Sequence, residues 1–116
     1  MLIVEDSDLV ADALRILLES RGYAVRIAHS VDAAIDACAS GPTDLMLLDL
    51  TLPDGDGLAV LAAAAERGTL PRTTVALTGH DDPAITARCL AAGCHDVLLK
   101  PVAARELLDR TAAWLV

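Results

Sequence analysis

Residues 44–58 read DLMLLDLTLPDGDGL, and this stretch decides the fold. Leu45-Met46-Leu47-Leu48 is an unbroken apolar run, as expected for a strand covered on both faces. It ends at Asp49. Pro53-Asp54-Gly55-Asp56-Gly57 is a turn-rich stretch leading into a helix predicted over Leu58 to Arg67, which Gly68 stops. A doubly covered strand feeding a helix is the repeating unit of a parallel sheet.

The pattern recurs on both sides. Leu2-Ile3-Val4 runs into Glu5-Asp6. The next helix carries a 3.6-residue stripe of Val10, Ala13, Leu14, Leu17 and Leu18, with Ser7 or Asp8 as its cap and Gly22 at its C-terminal end. Ala24 to Ala28 reads as a strand. Ser30 to Ser40 reads as a helix turning Val31, Ala34, Ile35 and Cys38 inward, broken by Gly41-Pro42. Downstream, Thr73 to Thr78 is the fourth strand, and Pro83 to Gly93 bounds the fourth helix. Val97-Leu98-Leu99 is the fifth strand, ended by Pro101, and Ala103 to Leu115 is the last helix. Strict alternation of this kind predicts one α/β domain, doubly wound, with a five-stranded parallel sheet between two helix layers.

The composition agrees. A chain of 116 residues with 54% hydrophobic content makes one domain with a real core, not a disordered segment. Acids outnumber bases 17 to 9, for a net charge of −8. Such a surface repels phosphate backbones and anionic lipid, so no nucleic acid and no membrane are expected as partners of this domain. No apolar run approaches the roughly 20 residues of a membrane span. Cys38, Cys89 and Cys94 are an odd number at no framework spacing, which fits a reduced, cytoplasmic setting.

In a doubly wound sheet the ligand site lies at the carboxyl ends of the strands. Here those ends carry Glu5-Asp6, Asp49, Thr78 and Lys100, the one lysine of the chain. Three crowded carboxylates would raise one another's pKa values unless a cation neutralised them. Oxygen ligands select a hard divalent ion such as Mg²⁺. A lysine and a hydroxyl beside such an ion suit a transferred phosphoryl group. Each residue alone has an ordinary structural explanation; their joint placement at four strand ends does not.

With LIVEDS (2–7), DLMLLDLTLPDGDGL (44–58), VALTGH (75–80), AAG (91–93) and LLKPV (98–102) in this order and spacing, the chain resembles the receiver domain of two-component response regulators. The likeness extends over essentially all of residues 1–116, taken as one receiver domain. It implies a flavodoxin-like α/β/α sandwich with strand order 2-1-3-4-5. It implies that Asp49 accepts a phosphoryl group from a histidine kinase or histidine phosphotransfer protein. Glu5, Asp6, Asp49 and the main-chain carbonyl of Thr51 would hold Mg²⁺. Lys100 would pair with Asp49 and then with phosphoryl oxygens, while the Thr78 hydroxyl moves toward them. The Lys100-Pro101 bond is expected to be cis. The output would be a change of shape on the face of the fourth helix, fifth strand and fifth helix, a face also compatible with a phosphorylation-dependent homodimer. The chain would be a signalling phosphoacceptor and not an enzyme, beyond catalysing its own phosphotransfer and dephosphorylation. It ends just after the last helix, which fits a single-domain regulator, a receiver from a longer regulator or the receiver of a hybrid kinase.

One position departs from the family pattern. Val97 stands three residues before Lys100, where family members commonly carry Tyr or Phe, so an aromatic ring turning inward is not available as the switch. Thr51 and His80 occupy positions that influence phosphoryl lifetime in the family.

A haloacid-dehalogenase-type phosphatase also uses a nucleophilic Asp after a strand, but it needs a second acid two residues on, where Thr51 stands. A flavin or dinucleotide module shares the sheet, yet Gly55 and Gly57 lie in the third strand's loop and Val60 breaks the glycine spacing. A pseudo-receiver that is never phosphorylated and acts as a protein-interaction module is the remaining alternative. His29, His80 and His95 are read as loop residues, the cysteines as buried thiols, Ala62 to Ala65 as helix-forming core, and Trp114 as packing or a partner face.

Overall fold

The computed structural model describes residues 1–115. Its elements are β1 (Leu2–Val4), α1 (Asp8–Glu19), β2 (Arg26–Ala28), α2 (Val31–Ala39), β3 (Leu45–Asp49), β4 (Thr51–Leu52), β5 (Gly55–Asp56), α3 (Leu58–Arg67), β6 (Thr73–Thr78), α4 (Pro83–Ala92), β7 (Asp96–Leu99) and α5 (Ala104–Trp114). Five strands form one sheet in the order β2-β1-β3-β6-β7, every pairing parallel. This is the doubly wound, flavodoxin-like topology expected, with β6 and β7 as the fourth and fifth strands of the main sheet. Among the described residues no helix is long and apolar enough to cross a membrane.

Alternation along the strands divides the core into two layers. Leu2, Val4, Met46 and Leu48 pack with Ala34, Val60, Leu61 and Cys89 from α2, α3 and α4. Ile3, Leu45, Leu47, Val75 and Leu77 pack with Leu18 of α1 and Leu107 and Leu108 of α5. All five residues of β3 are buried, as its unbroken apolar run requires.

Local chemistry sets the helix ends. Ser7 and Ser30 accept N–H groups in the first turns of α1 and α2, and Asp82 does so for α4. Gly68 and Gly93 end α3 and α4 in the left-handed conformation that favours glycine.

Four expectations need correction. Helix α1 ends at Glu19 with Ser20 as its cap, so Gly22 belongs to the following turn. Strand β2 begins at Arg26 rather than Ala24. On α1, Ala11 and Leu18 are buried while Val10 and Ala13 are exposed, because the helix is rolled to seat Ala11 against the sheet. Of Ala62 to Ala65 only Ala64 is buried. The stretch after Asp49 also contains a short antiparallel hairpin, β4 with β5, which the turn-rich reading missed.

Candidate functional site

Parallel register brings the ends of β1, β3, β6 and β7 to one edge of the sheet. Val4 pairs with Leu48, Asp49 with Leu77, and Thr78 with Leu99. The residues that follow or end these strands therefore converge, although they are far apart in the chain.

Asp49 is held from two sides. Its Oδ2 accepts from Lys100 Nζ at 3.0 Å, and its Oδ1 accepts the N–H of Thr51 at 3.2 Å. Glu5, only 1% exposed, accepts from the same ammonium through Oε1 at 2.7 Å. Lys100 thus bridges two carboxylates that end different strands. Its own N–H donates to the Thr78 carbonyl at 2.7 Å, and the Lys100-Pro101 peptide is cis. Thr78 is buried, and its hydroxyl oxygen accepts the N–H of His80 at 3.1 Å. Thr51, Thr78 and His80 line one open cleft of about 270 Å³ that also borders Leu50.

Asp6 is exposed and completes an acidic group. One carboxylate oxygen from each of Glu5, Asp6 and Asp49 lies within 4.8 Å of the others. The donor set is all oxygen, and three carboxylates face one ammonium, so a hard divalent ion suits both the atoms and the charge.

The electrostatics carry the mark of this crowding. Burial lifts Glu5 above the ordinary carboxylate value, neighbouring Asp49 lifts it further, and Lys100 offsets only part of this. For Lys100, burial works against the charged form, but its bonds to Glu5 and Asp49 prevail and hold the ammonium above its usual value.

The surrounding loop is tied down by groups that single-residue reading did not single out. Asp54, at the tip of the β4–β5 hairpin, accepts the N–H groups of Val31 and Asp32 at 2.8 and 3.1 Å, capping α2 from across the site. The bond from Val31, the larger influence, and that from Asp32 hold the Asp54 carboxyl below its ordinary value. Gly57 donates its N–H to Leu50 at 2.8 Å. His29, read as a scattered loop histidine, donates from Nδ1 to the Glu5 carbonyl at 2.8 Å. Its only sequence signal was its place just after β2, at the same edge.

The other expectations for side chains fall out simply. The three cysteines are free and buried. Burial pushes all three thiols up, Cys94 to about 12. Trp114 is half-buried against the α1–α5 side of the core, which is packing.

A five-stranded parallel sheet of this order, with an acid cluster and a lysine at its carboxyl edge, puts the chain among the flavodoxin-like α/β domains. Comparison with known proteins makes this specific. The response regulator receiver domain family matches residues 1–112. The chain is 36% identical over 113 residues to the transcriptional regulatory protein KdpE of Mycobacterium tuberculosis, covering 97% of this chain and 49% of that protein. It is 40% identical over 116 residues to the uncharacterized transcriptional regulatory protein YkoG of Bacillus subtilis, covering 99% of this chain and 50% of that one. The chain thus spans about half the length of these curated relatives. Among solved structures, a putative response regulator from Chloroflexus aurantiacus superposes with a TM-score of 0.85 at 30% identity, over 98% of this chain and 94% of that one. A two-component response regulator from Clostridium difficile gives 0.90 at 26% identity, over 98% and 93%. The chain belongs to the response regulator receiver domain family of two-component signal transduction.

Proposed function

We propose that Asp49 is the phosphoacceptor of this chain and that Glu5, Asp6, Asp49 and the Thr51 carbonyl hold Mg²⁺. The observation that carries the reading is the bridge from Lys100 Nζ to Glu5 Oε1 at 2.7 Å and to Asp49 Oδ2 at 3.0 Å. It puts a fixed positive charge beside a carboxylate at the open edge of the sheet.

An Asp49 oxygen attacks the phosphorus of a phosphohistidine on a histidine kinase or histidine phosphotransfer protein. The P–O bond forms as the P–N bond breaks, and the imidazole leaves. Bound Mg²⁺ supplies charge neutralisation for the phosphoryl oxygens. Lys100 turns from Glu5 toward those oxygens, and the Thr78 hydroxyl donates to one of them. No general base is required, since attack by a carboxylate oxygen leaves no proton to remove; positioning and charge do the catalysis. In this reading the chain is a signalling acceptor rather than an enzyme with a separate substrate, and it works in the cytoplasm beside its kinase.

Supporting the partner assignment, an apolar groove of about 510 Å³ flanks Lys100, lined by Leu9, Val10, Ala13, Pro101 and Val102. Leu9 is 85% exposed there, which suits a partner helix that must bring its histidine to Asp49. Leu90 and Leu99 stand about half-exposed on the α4–β7–α5 face. That face would present the change of shape to an output segment or to a second copy of the domain.

The test is incubation with a small phosphodonor and Mg²⁺, read by intact mass. One phosphate is expected, lost in Asp49→Asn and in chelator. Full labelling of Asp49→Asn, or labelling unchanged in chelator, would overturn the assignment; no labelling of the native chain by donor or kinase would favour the pseudo-receiver.

A further inference from the structure

Helix α4 is the least anchored helix of the domain. Of its residues only Cys89 is buried and Ile85 half-buried, whereas α2, α3 and α5 each bury three side chains. Apolar burial is the main hold of a helix on a sheet, and for α4 it is weak. The open cleft of about 270 Å³ lies along this helix, bordered by Ile85 and Arg88 on one side and Thr51, Asp56 and Thr78 on the other.

Arg88 spans that cleft. Its Nη1 donates to Asp56 Oδ2 at 2.9 Å. Among the described residues this is the one side-chain hydrogen bond from α4 to another element. Asp56 is not a loose carboxylate: its Oδ1 accepts the N–H of Leu58 at 2.9 Å, at the start of α3, and it lies opposite Thr51 in the hairpin after Asp49. Arg88 therefore ties α4 to the acceptor loop through a carboxylate that is itself hydrogen-bonded to the start of α3.

We propose that the Arg88–Asp56 ion pair is a clasp that holds α4 in its resting position and opposes the phosphorylated state. The second half of this inference rests on the acceptor reading of Asp49. Thr78 is joined to α4 by a short segment, residues 79–82, in which Asp82 caps the helix by accepting the N–H of Ala84 at 2.9 Å. A shift of Thr78 toward Asp49 pulls on the first turn of α4. One turn further on, Arg88 is fixed to the hairpin, so α4 cannot follow as a rigid body without lengthening the clasp. The partners are 55% and 43% exposed. A pair this exposed changes an equilibrium by about 1.5- to 5-fold, weak enough to be opened by phosphorylation and strong enough to set a threshold.

The test compares the native chain with Arg88→Gln, Asp56→Asn and the double variant. Asn keeps an acceptor oxygen for the Leu58 N–H while removing the charge. Hydrogen exchange of the free protein reads the clasp directly. Amides of residues 85–90 are expected to exchange about 1.5- to 5-fold faster in each single variant, with the double variant no faster than the faster single. Titration with beryllofluoride and Mg²⁺, a stand-in for the acyl phosphate, is expected to show tighter binding by a similar factor in the single variants. Unchanged exchange in both single variants, additive effects in the double, or binding no tighter than native would each overturn the clasp. Should no chain, native included, bind beryllofluoride, the acceptor reading falls and the exchange data alone decide the clasp.

Discussion

Gly57 lies against the main chain of Asp49. A Cβ built on Gly57 would stand 3.0 Å from the Asp49 carbonyl carbon and 3.1 Å from Leu50 Cα, and nearer still to the Asp49 carbonyl oxygen. Its φ of −55° is open to any residue, so glycine is needed here for space, not for conformation. The loop that follows Asp49 folds back onto the backbone of Asp49 itself.

Gly57→Ala is expected to cost about 2–3 kcal/mol of stability, because backbone atoms cannot move aside as a side chain would. It should also slow phosphorylation by displacing Asp49. Urea unfolding checks the first effect and labelling by a small phosphodonor the second. Gly41→Ala is the control: nothing lies within 4 Å of its added methyl, and stability should hold or rise slightly.

Lys100→Ala removes the one cation between Glu5 and Asp49. A fully buried pair would lose more, but Lys100 is 27% exposed, so the metal-free chain is expected to lose about 1–3 kcal/mol. Adding Asp49→Asn should return part of that loss by removing the stranded charge, which a double-mutant cycle in urea will measure. Lys100→Arg should rescue incompletely, since a forked guanidinium does not fit the place of a compact ammonium. Equal losses in the single and double variants would show that the bridge contributes little.

The buried thiols set a limit on alkaline stability. Burial holds the Cys94 thiol protonated up to about 12 in the folded chain, against about 9 when unfolded. The unfolded state therefore releases its proton first as pH rises. Stability from this group is full below about pH 9 and is lost between there and about 12. Urea midpoints should fall from pH 8 to pH 10, and the fall should be shallower in Cys94→Val. At pH 8 thiol reagents should label the native chain far more slowly than the unfolded one.

Under the proposed function, Val97 would shape the switch by what it lacks. It is half-buried against the α2–α3–α4 side of the core, β-branched and stiff, and cannot fill space as a ring would. When Thr78 moves, the response is expected in the backbone from Thr78 to Ala87, with little rearrangement of Val97. Amide shifts of the free and beryllofluoride–Mg²⁺ forms will decide it. A dominant Val97 rotamer change with residues 79–87 unmoved would contradict the expectation.

Much of this molecule is local and therefore legible in its sequence. The covered run Leu45 to Leu48, the helix stops at Gly68 and Gly93, and the start at Pro83 each follow from burial or backbone preference within a few residues. The convergence of Glu5, Asp49, Thr78 and Lys100 was readable too, because parallel strands of a doubly wound sheet must end at one edge. The tertiary structure decided what no local pattern encodes. It rolled α1 so that Val10 and Ala13 face a groove rather than the core, since rotation about a helix axis is set by the neighbours it meets. It formed the Thr51–Asp56 hairpin, too short to show any period, partly through Asp54 reaching the N-terminus of α2. It also joined Arg88 to Asp56 and Lys100 to both Glu5 and Asp49. A charge pair is a matter of distance in space, and only the packed sheet and helices bring those groups within reach.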